Sequence, residues 1–227
     1  MLRPRLDANA IAASAFIALT TMLSPAAHAV LTLSLDDGVS SASVTDDDGD
    51  GVLRFDEALS IFDVNGAIAL SQPRLTGSPT IIDLNSLNSS LTAGTLTMEL
   101  TDSGFTTPTE YFNFGIGGTT NGQLTYQAFY SNTNGDPFLG TLIASGSAST
   151  LVNAGAFADV QRLVVDLDGS QPYSLGIRVT IEHGNGEKVS SFDSEIRVPE
   201  PSTLGLLGGG LILTGLMLRR RRQKHRT

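Results

Sequence analysis

The sequence predicts an all-β chain: a single antiparallel β-sandwich, jelly-roll or Ig-like, flanked by an N-terminal signal helix and a C-terminal transmembrane helix. Three observations carry this. Apolar residues recur at period two along the middle of the chain, most extensively at Leu175, Ile177, Val179 and Ile181. Turn-forming pairs punctuate those stretches: Asp37-Gly38, Asn65-Gly66, Asn121-Gly122, Asn134-Gly135, Asp168-Gly169 and Asn185-Gly186. Charged residues make up only 16% of the chain and glycine numbers 24, a mixture that suits short strands joined by turns.

At the front, Arg3 and Arg5 precede the apolar run 10–19, and Pro25 ends it. Ala27-His28-Ala29 then supplies the small-x-small pattern that a signal peptidase reads. Residues 1–29 are therefore expected to be a signal peptide, with cleavage after Ala29 leaving Val30 as the new N-terminus. The alternative is a retained anchor, against which the run is short and alanine-rich.

Residues 30–197 are expected to form the sandwich. Leu31, Leu33 and Leu35 share one face of a first strand, Leu96, Met98 and Leu100 one face of another, and Leu124, Tyr126, Ala128 and Tyr130 a third. Shorter candidates are Val52 to Phe55, Leu59 to Val64, Phe112 to Ile116 and Leu163 to Leu167, with a last strand over Val189 to Val198. Ser147 to Phe157 reads as the one helical stretch, and Gly115-Ile116-Gly117-Gly118 as a flexible strand connection. No internal repeat or interior linker is visible, so one domain is expected.

The sharpest internal motif is Asp46-Asp47-Asp48-Gly49-Asp50-Gly51-Val52-Leu53-Arg54-Phe55-Asp56-Glu57. It follows the pattern of an EF-hand calcium loop, with Asp46, Asp48 and Asp50 each offering an oxygen, Val52 a carbonyl and Glu57 two oxygens opposite. Crowded acids repel one another, and a divalent cation would relieve them. Two features depart from the pattern. Arg54 stands where a small polar residue usually orients a water, and Leu31 to Val44 alternates like a strand where a helix should precede the loop. The other reading is a metal-free acidic turn between two strands.

Charge excludes one class of partner. Between Val30 and Pro201 stand 22 acidic residues against 6 basic ones, a net of −16, and such a surface repels nucleic acid. There is no cysteine, which removes disulfides and thiolate metal sites. His28 and His225 lie in the terminal segments, so His183 is the one imidazole of the middle domain, expected as an exposed strand-end residue. No Gly-x-Ser-x-Gly elbow accompanies it, which argues against a Ser-His-Asp triad, and zinc needs more nitrogen or sulfur. Glu99, Glu110, Glu182, Glu187 and Glu195 could converge as a glycosidase pair. Yet there is no tryptophan, and most of Tyr111, Phe112, Tyr126, Phe129, Tyr130 and Tyr173 are expected to fill the core, leaving little room for a sugar-stacking surface.

At the back, Val198-Pro199-Glu200-Pro201-Ser202 precedes an uncharged run over 203–218, which Arg219, Arg220, Arg221 and Arg222 close within a basic cluster over 219–226. As a helix this run spans about 24 Å, slightly short of a bilayer core of roughly 30 Å. Arginines stay on the cytoplasmic side, leaving the acidic domain outside. Taken together, the Pro-Glu-Pro triplet, glycine-rich apolar run and arginine cluster over 198–227 resemble the PEP-CTERM sorting signal of Gram-negative bacteria. That resemblance implies processing by an exosortase near the triplet, transient anchoring in the inner membrane, and a setting of exopolysaccharide or biofilm production. Ile82 to Ser90, Gly94 to Thr97 and Phe192 to Glu195 are similar to the small all-β proteins that carry this tail, a likeness that implies fold and no activity. The expectation is an exported, non-enzymatic surface or matrix protein. A weak calcium- or polysaccharide-binding module is the alternative, and a polysaccharide hydrolase a third reading.

Overall fold

The computed structural model describes residues 30–78, 80–149 and 154–198. The signal segment with Ala27 and Ala29, the residues Pro199, Glu200 and Pro201, the run 203–218 and Arg219 to Arg222 lie outside the described residues. Among the described residues no helix is long and apolar enough to cross a membrane.

Two six-stranded antiparallel sheets pack over one core. Sheet A contains β1 (Thr32–Asp36), β2 (Ser41–Thr45), β6 (Gly94–Phe105), β8 (Gln123–Ser131), β9 (Thr141–Ser149) and β11 (Tyr173–His183), in the order β2-β1-β6-β11-β8-β9. Sheet B contains β3 (Val52–Ala58), β4 (Phe62–Leu70), β5 (Thr80–Ser90), β7 (Thr109–Thr120), β10 (Gly155–Leu167) and β12 (Lys188–Arg197), in the order β10-β7-β12-β5-β4-β3. Twelve strands in all are more than the about seven to nine of an Ig domain or the about eight of a jelly roll.

The period-two stripes become the inner faces. Leu33, Leu35, Leu96, Met98, Leu100, Leu175, Ile177, Val179 and Ile181 from sheet A meet Phe62, Val64, Ile82, Leu84, Phe112, Phe114 and Ile196 from sheet B, all buried. Of the six aromatics expected mostly in the core, Phe112, Tyr126, Phe129 and Tyr173 are buried, and Tyr111 is half-buried. Tyr130 is only half-buried, because a bulge between Ala128 and Phe129 turns the end of β8.

Three expectations are corrected. The stretch Ser147 to Phe157, expected as helix, has none among its described residues: β9 runs to Ser149 and β10 starts at Gly155, and 150–153 lie outside the described residues. Its small residues suit a sheet edge as well as they suit a helix, and pairing with β8 and β7 decides. Gly115 to Gly118 is the middle of β7 and not a connection. A Cβ at Gly118 would stand 2.1 Å from the Ser191 carbonyl oxygen, so glycine there serves close approach to β12. The strand expected from Leu59 begins only at Phe62, after a turn in which the Leu59 amide donates to the Phe62 carbonyl at 2.8 Å.

Candidate functional site

The Asp-rich loop joins β2 of sheet A to β3 of sheet B. Glycine sets its shape: Gly49 and Gly51 have φ of 70° and 77°, and Gly51 sits so close to Ser71 and Gln72 that a Cβ would meet their backbone. The aspartates close the loop on itself. Asp46 accepts from the amides of Gly49 at 2.9 Å and Gly51 at 2.8 Å, Asp48 from Asp50 at 3.2 Å, and Asp50 from Val52 at 2.9 Å. Oxygens of Asp46, Asp48 and Asp50 all lie within 4.8 Å of one another.

Burial would raise the Asp46 pKa, but the amides of Gly51, Gly49 and Asp50 and a hydrogen bond from Asp48 hold it below the usual range. Asp48 is pushed up, first by that hydrogen bond to Asp46 and then by the Asp50 charge. Of the five predicted ligand residues, Val52 lines the same hollow as the three aspartates and Glu57 lies away from it. Val52 opens β3 opposite Leu70, and Glu57 stands opposite Val64 near the far end of the same strand. Five residues of extended chain separate them, roughly 15 Å, so Glu57 is not beside the three aspartates. Instead Arg54 borders the hollow over the loop, together with Val44 and Thr45.

A second group of acids, on the outer face of sheet B, was not foreseen as a group. β5 and β12 pair Asp83 with Glu195 and Asn85 with Asp193. Burial lifts Asp83 to about 7, helped by the charges of Asp193 and Glu195. Asp193 is also raised, by burial first and then by Glu195. Glu195 accepts from the Thr80 hydroxyl at 2.7 Å and pairs with Arg197. Beside them β7 offers only Gly115 and Gly117 in register with Glu195 and Asp193. Period two places each of these acids on an outer face, but the pairing of two strands so far apart in sequence is not legible locally.

The other glutamates do not join this group. Glu99 is held by Arg178 at 2.6 Å on the outer face of sheet A, and Glu110, Glu182 and Glu187 are exposed on β7, on β11 and in the turn after it. Among the described residues the large apolar side chains left exposed are valines and leucines, none aromatic. Tyr111 is covered by the Arg162 guanidinium, 4.1 Å from its ring centre.

His183 corrects the sequence expectation. It is buried, at 2% exposure, where β11 crosses over sheet B. Its Nδ1 meets Ser90 Oγ at 2.9 Å and its Nε2 meets Ser190 Oγ at 2.8 Å, while the ring packs on Phe62 with centres 5.1 Å apart. Ser190 Oγ in turn meets Thr120 Oγ1 at 2.8 Å. Burial holds the imidazole at about 4, helped by the Lys188 charge, so it is neutral at physiological pH. Both ring nitrogens are used in a bridge between the sheets, and no carboxylate orients the ring as a catalytic base would require.

Residues 197–222 match the PEP-CTERM protein-sorting motif. The first two of them belong to the folded domain: Arg197 pairs with Asn113 and Thr80 on either side, and Val198 is buried in the core. No curated protein matches the chain. Several solved structures are similar to it at low identity. TmCBM61 in complex with β-1,4-galactotriose is 12% identical, covering 63% of this chain and 92% of its own, with a TM-score of 0.30. The Epithelial Adhesin 9 A domain from Candida glabrata, bound to Galβ1-4GlcNAc, is 14% identical over 78% of this chain and 86% of its own, with a TM-score of 0.34. TmCBM27, a carbohydrate-binding module that recognises mannan, is 11% identical over 73% and 96%, with a TM-score of 0.29. At such TM-scores these likenesses carry no argument about what this chain binds.

Proposed function

We propose that this chain is an exported protein sorted to the cell envelope through its tail, with a structural or interaction role at the surface or in the extracellular matrix. The match of residues 197–222 to a protein-sorting motif carries the reading. An exosortase is the processing partner that this motif calls for, and a signal peptidase the partner at Ala27-His28-Ala29. The acidic domain is the cargo. Its role is non-enzymatic on this reading, which the burial of His183 between two serine hydroxyls supports. Replacing Pro199, Glu200 and Pro201 together by alanine is expected to leave the chain unprocessed in the inner membrane. Fractionation that finds the triple variant at the surface as abundantly as the wild type would remove the sorting role.

A second reading is favoured by one observation, the convergence of Asp46, Asp48 and Asp50. On it the loop takes calcium weakly and braces the connection between the sheets. Three carboxylates without Glu57 place the affinity in the range of extracellular modules, about 10⁻⁴ to 10⁻³ M. Titration calorimetry of the 30–198 domain should give heat at millimolar calcium that vanishes in an Asp48→Ala, Asp50→Ala variant. Absence of heat in the wild type retires this reading and leaves the sorting role untouched. Extracellular polysaccharide is the partner class that fits an exported matrix protein.

A further inference from the structure

Strand register puts both leads of the domain at one end of the sandwich. In sheet B, Arg197 lies opposite Thr80 where β5 begins, Leu70 ends β4 opposite Val52, and Leu167 ends β10 opposite Thr109. Val198 therefore leaves at the end that carries the loops 46–51, 71–78, 106–108 and 168–172. In sheet A, the Asp46 amide donates to the Leu31 carbonyl at 3.0 Å and Thr32 pairs with Thr101. Val30 thus enters at the end where β6 finishes and β11 begins, beside the loop 132–136. The ends of the two sheets coincide. Ser71 donates to the buried Asp102, and Tyr173 Oη donates to the Thr107 carbonyl at 3.1 Å. The turns 37–40, 91–93, 121–122 and 184–187 lie at the opposite end.

We infer that this shared end is the surface the domain turns toward the lipid headgroup layer while the tail is uncut. The inference rests on the reading of 203–218 as a membrane segment. Only Pro199, Glu200, Pro201 and Ser202 separate Val198 from that segment, and five peptide steps reach at most about 18 Å. The eleven residues of β11 put the opposite end about 35 Å further away. The lead into Val30 leaves from the same end, so a chain still carrying its signal segment is tied to the bilayer there twice.

Charge decides how the surface sits. Asp46, Asp47, Asp48, Asp50, Asp136 and Asp168 crowd this end, and Arg54, Arg74 and Arg197 oppose them only in part. Such an end is repelled by anionic headgroups over a Debye length of about 8–10 Å at moderate salt. The domain faces the bilayer without adhering to it, which keeps the Pro-Glu-Pro segment open to a processing enzyme.

The absence of cysteine allows a clean test, since one introduced thiol can carry a fluorophore. Ser170→Cys labels the shared end and Thr92→Cys the opposite end, both at exposed turn positions. The full chain is reconstituted into zwitterionic vesicles carrying a headgroup-attached quencher, and vesicle flotation verifies attachment. The Ser170 probe is expected to be quenched several-fold more than the Thr92 probe. Adding anionic lipid at low salt should weaken that quenching, and raising the salt should restore it. Equal quenching of the two probes on floated chains, or stronger quenching at Thr92, overturns the orientation while leaving the membrane attachment intact. Failure of the chain to float overturns the reading of 203–218, and the orientation with it.

Discussion

Asp83 and His183 are titratable groups that the fold buries with opposite consequences for pH. The folded state keeps a proton on Asp83 up to about 7, whereas the unfolded chain gives it up near 3.8. Ionised Asp83 therefore penalises the fold above about pH 7, and the penalty fades as pH falls toward about 4. Asp102, lifted to about 6 chiefly by burial, acts in the same direction. His183 acts in the other: it resists protonation down to about 4 where the unfolded ring takes a proton near 6.5, so its contribution is lost as pH falls through that window. An Asp83→Asn variant isolates the first effect. After discounting for the partial exposure of the carboxyl, it should be more stable than the wild type by about 1–2 kcal/mol near pH 8, and equal to it near pH 4. Urea unfolding across that range checks the slope as well as the size.

At the scale of elements, the free edges of the two sheets are fastened by side chains. Tyr126 of β8 reaches beneath β9 to donate to Asp159 of β10, and Gln161 of β10 donates to the Ser145 carbonyl at 2.8 Å while accepting its amide at 3.2 Å. The path exists because residue 146 is glycine: a Cβ there would lie 2.1 Å from Tyr126 Oη. Gly146→Ala should therefore cost about 1–3 kcal/mol in the wild type and much less in a Tyr126→Ala background. A double-mutant cycle by chemical denaturation reads that coupling, and additive losses would mean that the two residues do not meet.

The elements legible in the sequence are those with an apolar inner stripe. β1, β6, β11 and β12 announce themselves because every second residue must be buried. β2, with the sequence Ser-Ala-Ser-Val-Thr, alternates only small residues with one valine, so the sequence runs it together with β1 over Leu31 to Val44, and its pairing with β1 holds it at an edge. β9 is equally poor in large apolar residues, and its Ala, Ser and Gly content carries no period. The candidate sites divide in the same way. Asp46, Asp48 and Asp50 are neighbours in sequence and could be read off it, whereas Asp83 and Asp193 meet only through the pairing of β5 with β12. Glu57 stands apart for a physical reason: twelve residues wind round an ion only if the chain turns throughout, and from Val52 onward this one is a strand paired with β4, bulged only between Phe55 and Glu57.

For the whole molecule the separation of charge governs the outcome. A domain carrying 22 acidic residues between Val30 and Pro201 is followed within a few residues by an uncharged run and then by arginines. On the proposed sorting reading, arginines held on the inner side of the membrane and acids held outside would fix one direction across it. Among the described residues the core runs from Leu31 to Val198. Removal of the tail should therefore free a folded cargo. Intact-mass analysis of the protein recovered from the surface or the medium tests this account most directly. A chain beginning at Val30 and lacking Arg219 to Arg222 is the predicted result. A surface form that still carries those arginines, in cells that possess the processing enzyme, would contradict it.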